Sequence, residues 1–168
     1  MSDPQFLKSV TLFAEFENDE LEALGHTVRS SRFTPGDSVM EEGSPNRALH
    51  ILKSGRVRVS RKVQEREVTL CDLGVGQTFG ELSIIEDGVA SATLRAVTDT
   101  EILSISMHDL ATFLRTCPNA GSKFWRAIAV DLRRRILQTN DVVRSYFEVN
   151  RALVENETFR EAYAMCNR

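Results

Sequence analysis

Chemistry in this chain has few places to begin. The stretch Phe79-Gly80-Glu81-Leu82-Ser83-Ile84-Ile85-Glu86 sets a glycine and a carboxylate at the end of a short apolar run and at the start of a helical one. Free N–H groups at a helix start can hold a phosphate, and a nearby carboxylate can accept from a sugar hydroxyl. The same residues also read as plain structure, with Gly80 a turn and Glu81 a first-turn carboxylate that suits the helix dipole. The three histidines, His26, His50 and His108, stand apart, with no H-x-x-x-H or H-E-x-x-H spacing. Cys71, Cys117 and Cys166 never form C-x-x-C, so no zinc ribbon or disulfide framework is expected and no metal is assigned. Gly74-Val75-Gly76-Gln77-Thr78-Phe79-Gly80 misses the G-x-G-x-x-G spacing by one residue, and neither a G-x-S-x-G elbow nor a G-x-x-x-x-G-K-[ST] loop occurs. The expectation is a protein that is not an enzyme.

The elements that would position Gly80 and Glu81 follow from periodicity. Leu7, Val10 and Phe13, then Leu21, Leu24 and Val28, fit short amphipathic helices up to about Arg32, with Asn18 or Asp19 capping the second. From Phe33 to Ser106 the pattern alternates in short runs (39–40, 49–51, 57–59, 68–70, 93–97, 102–105) cut by Pro35-Gly36-Asp37, Gly43-Ser44-Pro45, Ser54-Gly55, Gly74, Gly76 and Gly80. Period two with breakers every eight to twelve residues predicts an antiparallel roll of seven or eight strands. After Pro118 the spacing turns helical again. Trp125, Ile128, Leu132, Ile136, Thr139, Val143 and Tyr146 step by three or four along one narrow stripe, the kind of seam that packs on a like helix in a two-fold homodimer, or else on the chain's own roll. Residues 150–168 read as one more helix with Phe159, Ala162, Tyr163 and Cys166 on a face and Thr158 and Glu161 as a capping box, Phe159 and Tyr163 offering a partner surface.

Three blocks, Phe33-Thr34-Pro35-Gly36-Asp37-Ser38-Val39-Met40-Glu41-Glu42-Gly43, Leu49 to Val59, and Leu73 to Leu82 followed by Ser91-Ala92-Thr93-Leu94-Arg95-Ala96, resemble in order and spacing the cyclic-nucleotide-binding domain family. This is the type found in catabolite activator protein and in protein kinase A regulatory subunits. The resemblance implies an α+β, mainly β, fold: an eight-stranded antiparallel β-roll with N-terminal helices and a long C-terminal dimerisation helix. The expected division is 1–118 for helices and roll, 119–149 for the long helix and 150–168 for the extension. A cyclic nucleotide is the ligand so implied, and no other cofactor is. Within the family's phosphate-binding cassette, Gly80 would allow close backbone approach, Glu81 would bind the ribose 2′-hydroxyl, and Leu82 follows in the motif. The cassette arginine that pairs with the cyclic phosphate falls on Ala90, its small neighbour on Ser91, and the polar pair that contacts the base on Thr139 and Asn140.

Ala90 is a departure at the phosphate. Hydrogen bonds to charged groups contribute about 1.5 to 3 kcal/mol each, so the loss implies binding weaker by roughly ten- to hundred-fold or more. Arg95 is no substitute on an unbulged strand, since position 90 shares its face with Ala92, Leu94 and Ala96. Arg47, on the preceding hairpin, stays open as a source of charge.

Formal net charge is −3, without a global positive excess for nucleic acid or anionic lipid. The stretch 118–144 does hold Lys123, Arg126, Arg133, Arg134, Arg135 and Arg144 against Asp131 and Asp141. With 22 residues after Tyr146 there is little room for a helix-turn-helix domain, so DNA binding is not expected. No apolar run approaches the roughly 20 residues of a membrane span, and the expected location is cytoplasmic. Two functions fit: a dimeric regulatory or adaptor protein with a degenerate nucleotide pocket that acts through other signalling proteins, or a sensor of cyclic mono- or dinucleotides with a non-standard phosphate contact.

Overall fold

A computed structural model describes residues 3–64, 66–81 and 88–155. Leu82, Phe159, Tyr163, Cys166 and the expected capping box at Thr158 and Glu161 lie outside the described residues. The chain divides into two compact parts, Met1–Ile128 and Ala129–Arg168.

The first part opens with α1 (Pro4–Ser9), a single 3-10 turn (Thr11–Phe13) and α2 (Asn18–Gly25). Asp3 caps α1 by accepting the Gln5 amide at 2.9 Å, and Pro4 takes the first helical position, where a missing N–H costs nothing. The cap of α2 is Glu17, one residue ahead of the expected Asn18 or Asp19, because the Glu20 carboxylate reaches back to the Glu17 amide at 2.8 Å. Helix does not continue to Arg32. Arg29–Phe33 is a strand, β1, paired from Arg29↔Ser104 to Phe33↔Thr100, and this pairing outweighs the weak helical spacing of a segment with two serines.

Seven strands follow: β2 (Ser38–Met40), β3 (Ala48–Ser54), β4 (Val57–Val63), β5 (Arg66–Leu73), β6 (Thr78–Phe79), β7 (Thr93–Ala96) and β8 (Thr100–Ser106). They form two antiparallel four-stranded sheets, ordered β1-β8-β3-β6 and β2-β7-β4-β5. Both sheets contribute to one core, with Leu52 and Ile102 from the first packed with Val57, Ala92 and Leu94 on the side of the second. The fold class is the expected eight-stranded antiparallel roll flanked by helices. At the β3–β4 corner a side chain on Gly55 would stand 2.4 Å from the Asp99 carbonyl, so only glycine fits this close crossing.

After β8 comes α3 (Met107–Thr116), capped by Ser106, whose hydroxyl accepts the Asp109 amide at 3.1 Å. Then α4 runs from Pro118 to Glu155, continuous across the expected boundary at 149. Its first turns belong to a second, helical core. Phe124 stacks on Phe13 with ring centroids 6.2 Å apart, and Phe16 stacks on Phe113 at 6.0 Å. Lys123 adds an ion pair to Glu20 at 2.9 Å, and that carboxylate holds the ammonium above its usual pKa.

The two halves of the predicted stripe part company here. Ile128 is 4% exposed and buried, as are Ala120 and Phe124, so it cannot sit in a seam with another chain. In the second part Ile136 is 61% exposed, and Leu137, Val142, Val143, Tyr146 and Phe147 are likewise uncovered. Leu132 is half-buried.

Candidate functional site

Gly80 directly follows β6 and has φ +81°, a conformation that L side chains rarely adopt. The fit around it is tight. A Cβ there would lie 2.5 Å from Asn46 Nδ2 and 2.7 Å from the Ala48 carbonyl oxygen. Glu81 follows directly and is 4% exposed, so the carboxylate expected to meet a ribose is turned into the protein.

At the other end of the segment, Ala90 is 5% exposed and fixed by its backbone. Its amide donates to the Ser44 carbonyl and its carbonyl accepts from the Gly43 amide, both at 2.8 Å, next to a bridge between Pro45 and Val89. Ser91 is exposed. Ala92, Leu94 and Ala96 are buried with Ala90, whereas Arg95 faces outward and meets the Glu41 carboxylate at 3.4 Å. The strand keeps its parity there, so Arg95 points away from the side that Ala90 faces, as expected. Arg47 is exposed too, and its carbonyl accepts the Met107 amide at 2.9 Å.

Thr139 and Asn140 lie in the second part and are exposed, with the Thr139 hydroxyl donating to the Arg135 carbonyl at 2.9 Å. The basic residues of 118–144 are largely paired. Lys123 meets Glu20, Arg126 meets Glu15, Arg134 and Arg135 both meet the buried Asp131, and Arg144 meets Glu148 at 3.1 Å.

Sequence reasoning missed Asn46, and it treated His50 as an isolated histidine. In the fold, β3 lies between β8 and β6, so His50 faces Ser104 on one side and Phe79 on the other. Its Nδ1 lies 2.8 Å from the Ser104 hydroxyl, its Nε2 3.1 Å from Asn46 Oδ1, and its ring stacks on Phe79 at 4.9 Å. Burial pushes the imidazole pKa down to about 4, because a charged ring would lose its hydration there. The signal that could have found this group is the register of three strands, which single-sequence periodicity does not carry. A separate open depression of about 370 Å³, lined among others by Arg32, Thr34, Asp37 and Asp99, contains none of the candidate residues.

Among the described residues no group of three or more His, Cys, Asp or Glu could hold a metal ion, and no helix is long and apolar enough to cross a membrane.

The fold is thus an antiparallel roll with a positive-φ glycine and a buried carboxylate directly after β6. A family model for the cyclic nucleotide-binding domain matches residues 30–117, and the chain belongs to that family. It is 29% identical over 133 residues to the cyclic AMP receptor protein of Thermus thermophilus, covering 79% of this chain and 62% of that protein. It is 32% identical over 138 residues to Glutaminase 2 of Bradyrhizobium diazoefficiens, covering 80% of this chain and 22% of that one. The chain thus spans less than two thirds of the length of these relatives. Among solved structures it is similar to the N-terminal domain of a transcriptional regulator from Streptomyces coelicolor, with a TM-score of 0.69 and 29% identity over 82% of this chain and 94% of that one.

Proposed function

We propose that this chain is a non-enzymatic, dimeric regulatory module of the cyclic-nucleotide-binding type whose pocket has lost its ordinary hold on the phosphate, and that it works through protein partners. One observation carries the reading. The position where the family's phosphate-pairing arginine falls is a buried methyl group, and the arginine on the adjoining strand faces away toward Glu41. An anionic phosphate placed there gains no charge-assisted contact from either residue.

The second copy is proposed to pair through the C-terminal part of α4. Ile136, Val143 and Tyr146 recur there at seam spacing and are uncovered in the single chain, with Trp125 exposed earlier on the same helix. Arg134, Arg135 and Arg144 are engaged by acidic neighbours on their own helix, which supports a role without DNA. The proposed location is the cytoplasm.

Thermal melts with saturating cyclic mono- and dinucleotides test the pocket. A ligand at 100 times its Kd adds about 2.7 kcal/mol and raises the midpoint by several degrees. The expected result is no shift with any of them. A shift would instead support the second reading, a nucleotide sensor. In that case Glu81→Ala abolishes the shift while the unliganded melt stays cooperative. Sedimentation of the wild-type chain against Ile136→Asp tests the pairing, with a dimer that becomes a monomer expected.

A further inference from the structure

We propose that Asn46 is a positioning residue, held in place by His50 and Ser104, that holds Gly80 with its side chain and Gly88 with its backbone and so sets where Glu81 stands. The proposal rests on reading Gly80 and Glu81 as part of the candidate ligand site.

The hydrogen bonds give Asn46 one orientation. Its Nδ2 donates to the Ala48 carbonyl at 3.0 Å and to the Gly80 carbonyl at 3.5 Å. Its Oδ1 is therefore the acceptor and takes the Ala48 amide at 3.3 Å and the His50 ring at 3.1 Å. An acceptor at that position requires a proton on His50 Nε2. The neutral ring then has a lone pair at Nδ1, which receives the Ser104 hydroxyl at 2.8 Å. The chain from Ser104 through His50 to Asn46 thus has a single direction of donation, and burial keeps the ring neutral across the physiological range.

What Asn46 grips is as specific as how it is gripped. The Gly80 carbonyl shares a peptide plane with the Glu81 amide, so fixing one orients the start of the next residue. The main-chain amide of Asn46 meanwhile reaches the Gly88 carbonyl at 3.5 Å, and its neighbours Ser44 and Pro45 hold Ala90 and Val89. One residue therefore contacts two points eight positions apart in the chain, Gly80 with its side chain and Gly88 with its backbone. The absence of a Cβ on Gly80 is what lets the amide come so close.

The test uses the full chain without nucleotide, so a pocket that binds none does not disturb it. A melt that shows no nucleotide response would count against the sensor reading and leave this result standing. Amide hydrogen exchange is compared in wild type, Asn46→Ala, Asn46→Asp and Ser104→Ala, together with the ¹⁵N shifts of the His50 ring. In Asn46→Ala, exchange at Glu81 and Ala90 should rise by roughly tenfold beyond what the fall in global stability accounts for, while Ile51 and Leu103 follow global stability. Asn46→Asp keeps the acceptor for His50 and removes the donor to Gly80, so it should show the same local loosening with the Nε2–H tautomer retained. Ser104→Ala, which leaves the packing volume almost intact, should loosen the segment less. Equal changes at Glu81, Ala90, Ile51 and Leu103 would overturn the proposal. So would an Nδ1–H tautomer in the wild type, a measurement that stands even if a variant fails to fold.

Discussion

The two ends of the 80–90 segment are held in different ways. At Gly80 the fit is made largely by side chains, with the Asn46 amide and the His50 ring, together with the Ala48 carbonyl, close around a left-handed glycine. At Ala90 it is made almost wholly by backbone, through the amide and carbonyl that pair with Ser44 and Gly43. Shape and charge are thus encoded separately. The hydrogen bonds at position 90 are made by the backbone and do not depend on the side chain it carries. At Gly80 there is no such freedom.

Gly80→Ala should produce the largest effect. Forcing a side chain into positive φ costs about 1 to 3 kcal/mol, and the clash with Asn46 and Ala48 adds to it. Gly76→Ala, at the same φ of +81° but with nothing within 4 Å of the added carbon, isolates the backbone cost. Chemical denaturation of the two variants should separate them clearly, and equal losses would show that the crowding at Gly80 is of no consequence.

Acid should act next, and it acts on the Gly80 end. The His50 pKa falls from an ordinary 6.5 to about 4 in the fold, so the unfolded chain takes up its proton first as pH drops. The contribution is full above pH 6.5 and is lost as pH falls through about 4, a total of roughly 3 kcal/mol. Two carboxylates held low by donors, Glu42 by the Lys62 amide and Asp72 by Arg58, lose their contacts in the lower acid range as well. Comparison with His50→Phe, which can keep the stacking on Phe79, isolates the ring. Between pH 6.5 and 5 the wild type should lose stability faster than the variant, and parallel curves would refute the burial argument.

At the other end the expected change is a gain. Ala90→Arg should strengthen cyclic nucleotide binding by about ten- to hundred-fold, the worth of one charge-assisted contact. Calorimetric titration reads it, and no gain would mean that charge at this position is not what the pocket lacks. The smallest effect belongs to Arg95→Ala. Its pair with Glu41 is exposed on both sides, so stability should move by no more than about 0.5 kcal/mol and any nucleotide response should not move at all.

Much of this frame was legible in the sequence. Glycine breakers and period two gave the roll, because each strand from β2 onward buries one face or pairs within a hairpin bounded by turns. β1 was not legible, since Arg29, Ser30, Ser31 and Arg32 are all exposed and the strand exists through its pairing with β8. The long helix was legible as a helix and not in its partners. Ile128 and Ile136 occupy one stripe, yet the first is buried and the second exposed, a difference set by tertiary packing that helical spacing does not carry. At the site, a glycine followed by an acid was visible, whereas Asn46 and His50 were not. Their meaning comes from Ser104, 54 residues away from His50, and from Phe79 across the sheet.

The crowding at Gly80 also bears on how motifs of this kind are interpreted. A glycine that must be absent of side chain so that Asn46 and Ala48 can approach is retained by the protein's own architecture, whether or not a small molecule ever arrives. Its presence in a sequence is evidence of a roll and says nothing of a messenger. Position 90 differs, because its hydrogen bonds to Ser44 and Gly43 come from the backbone and would be kept whatever side chain the space there admits.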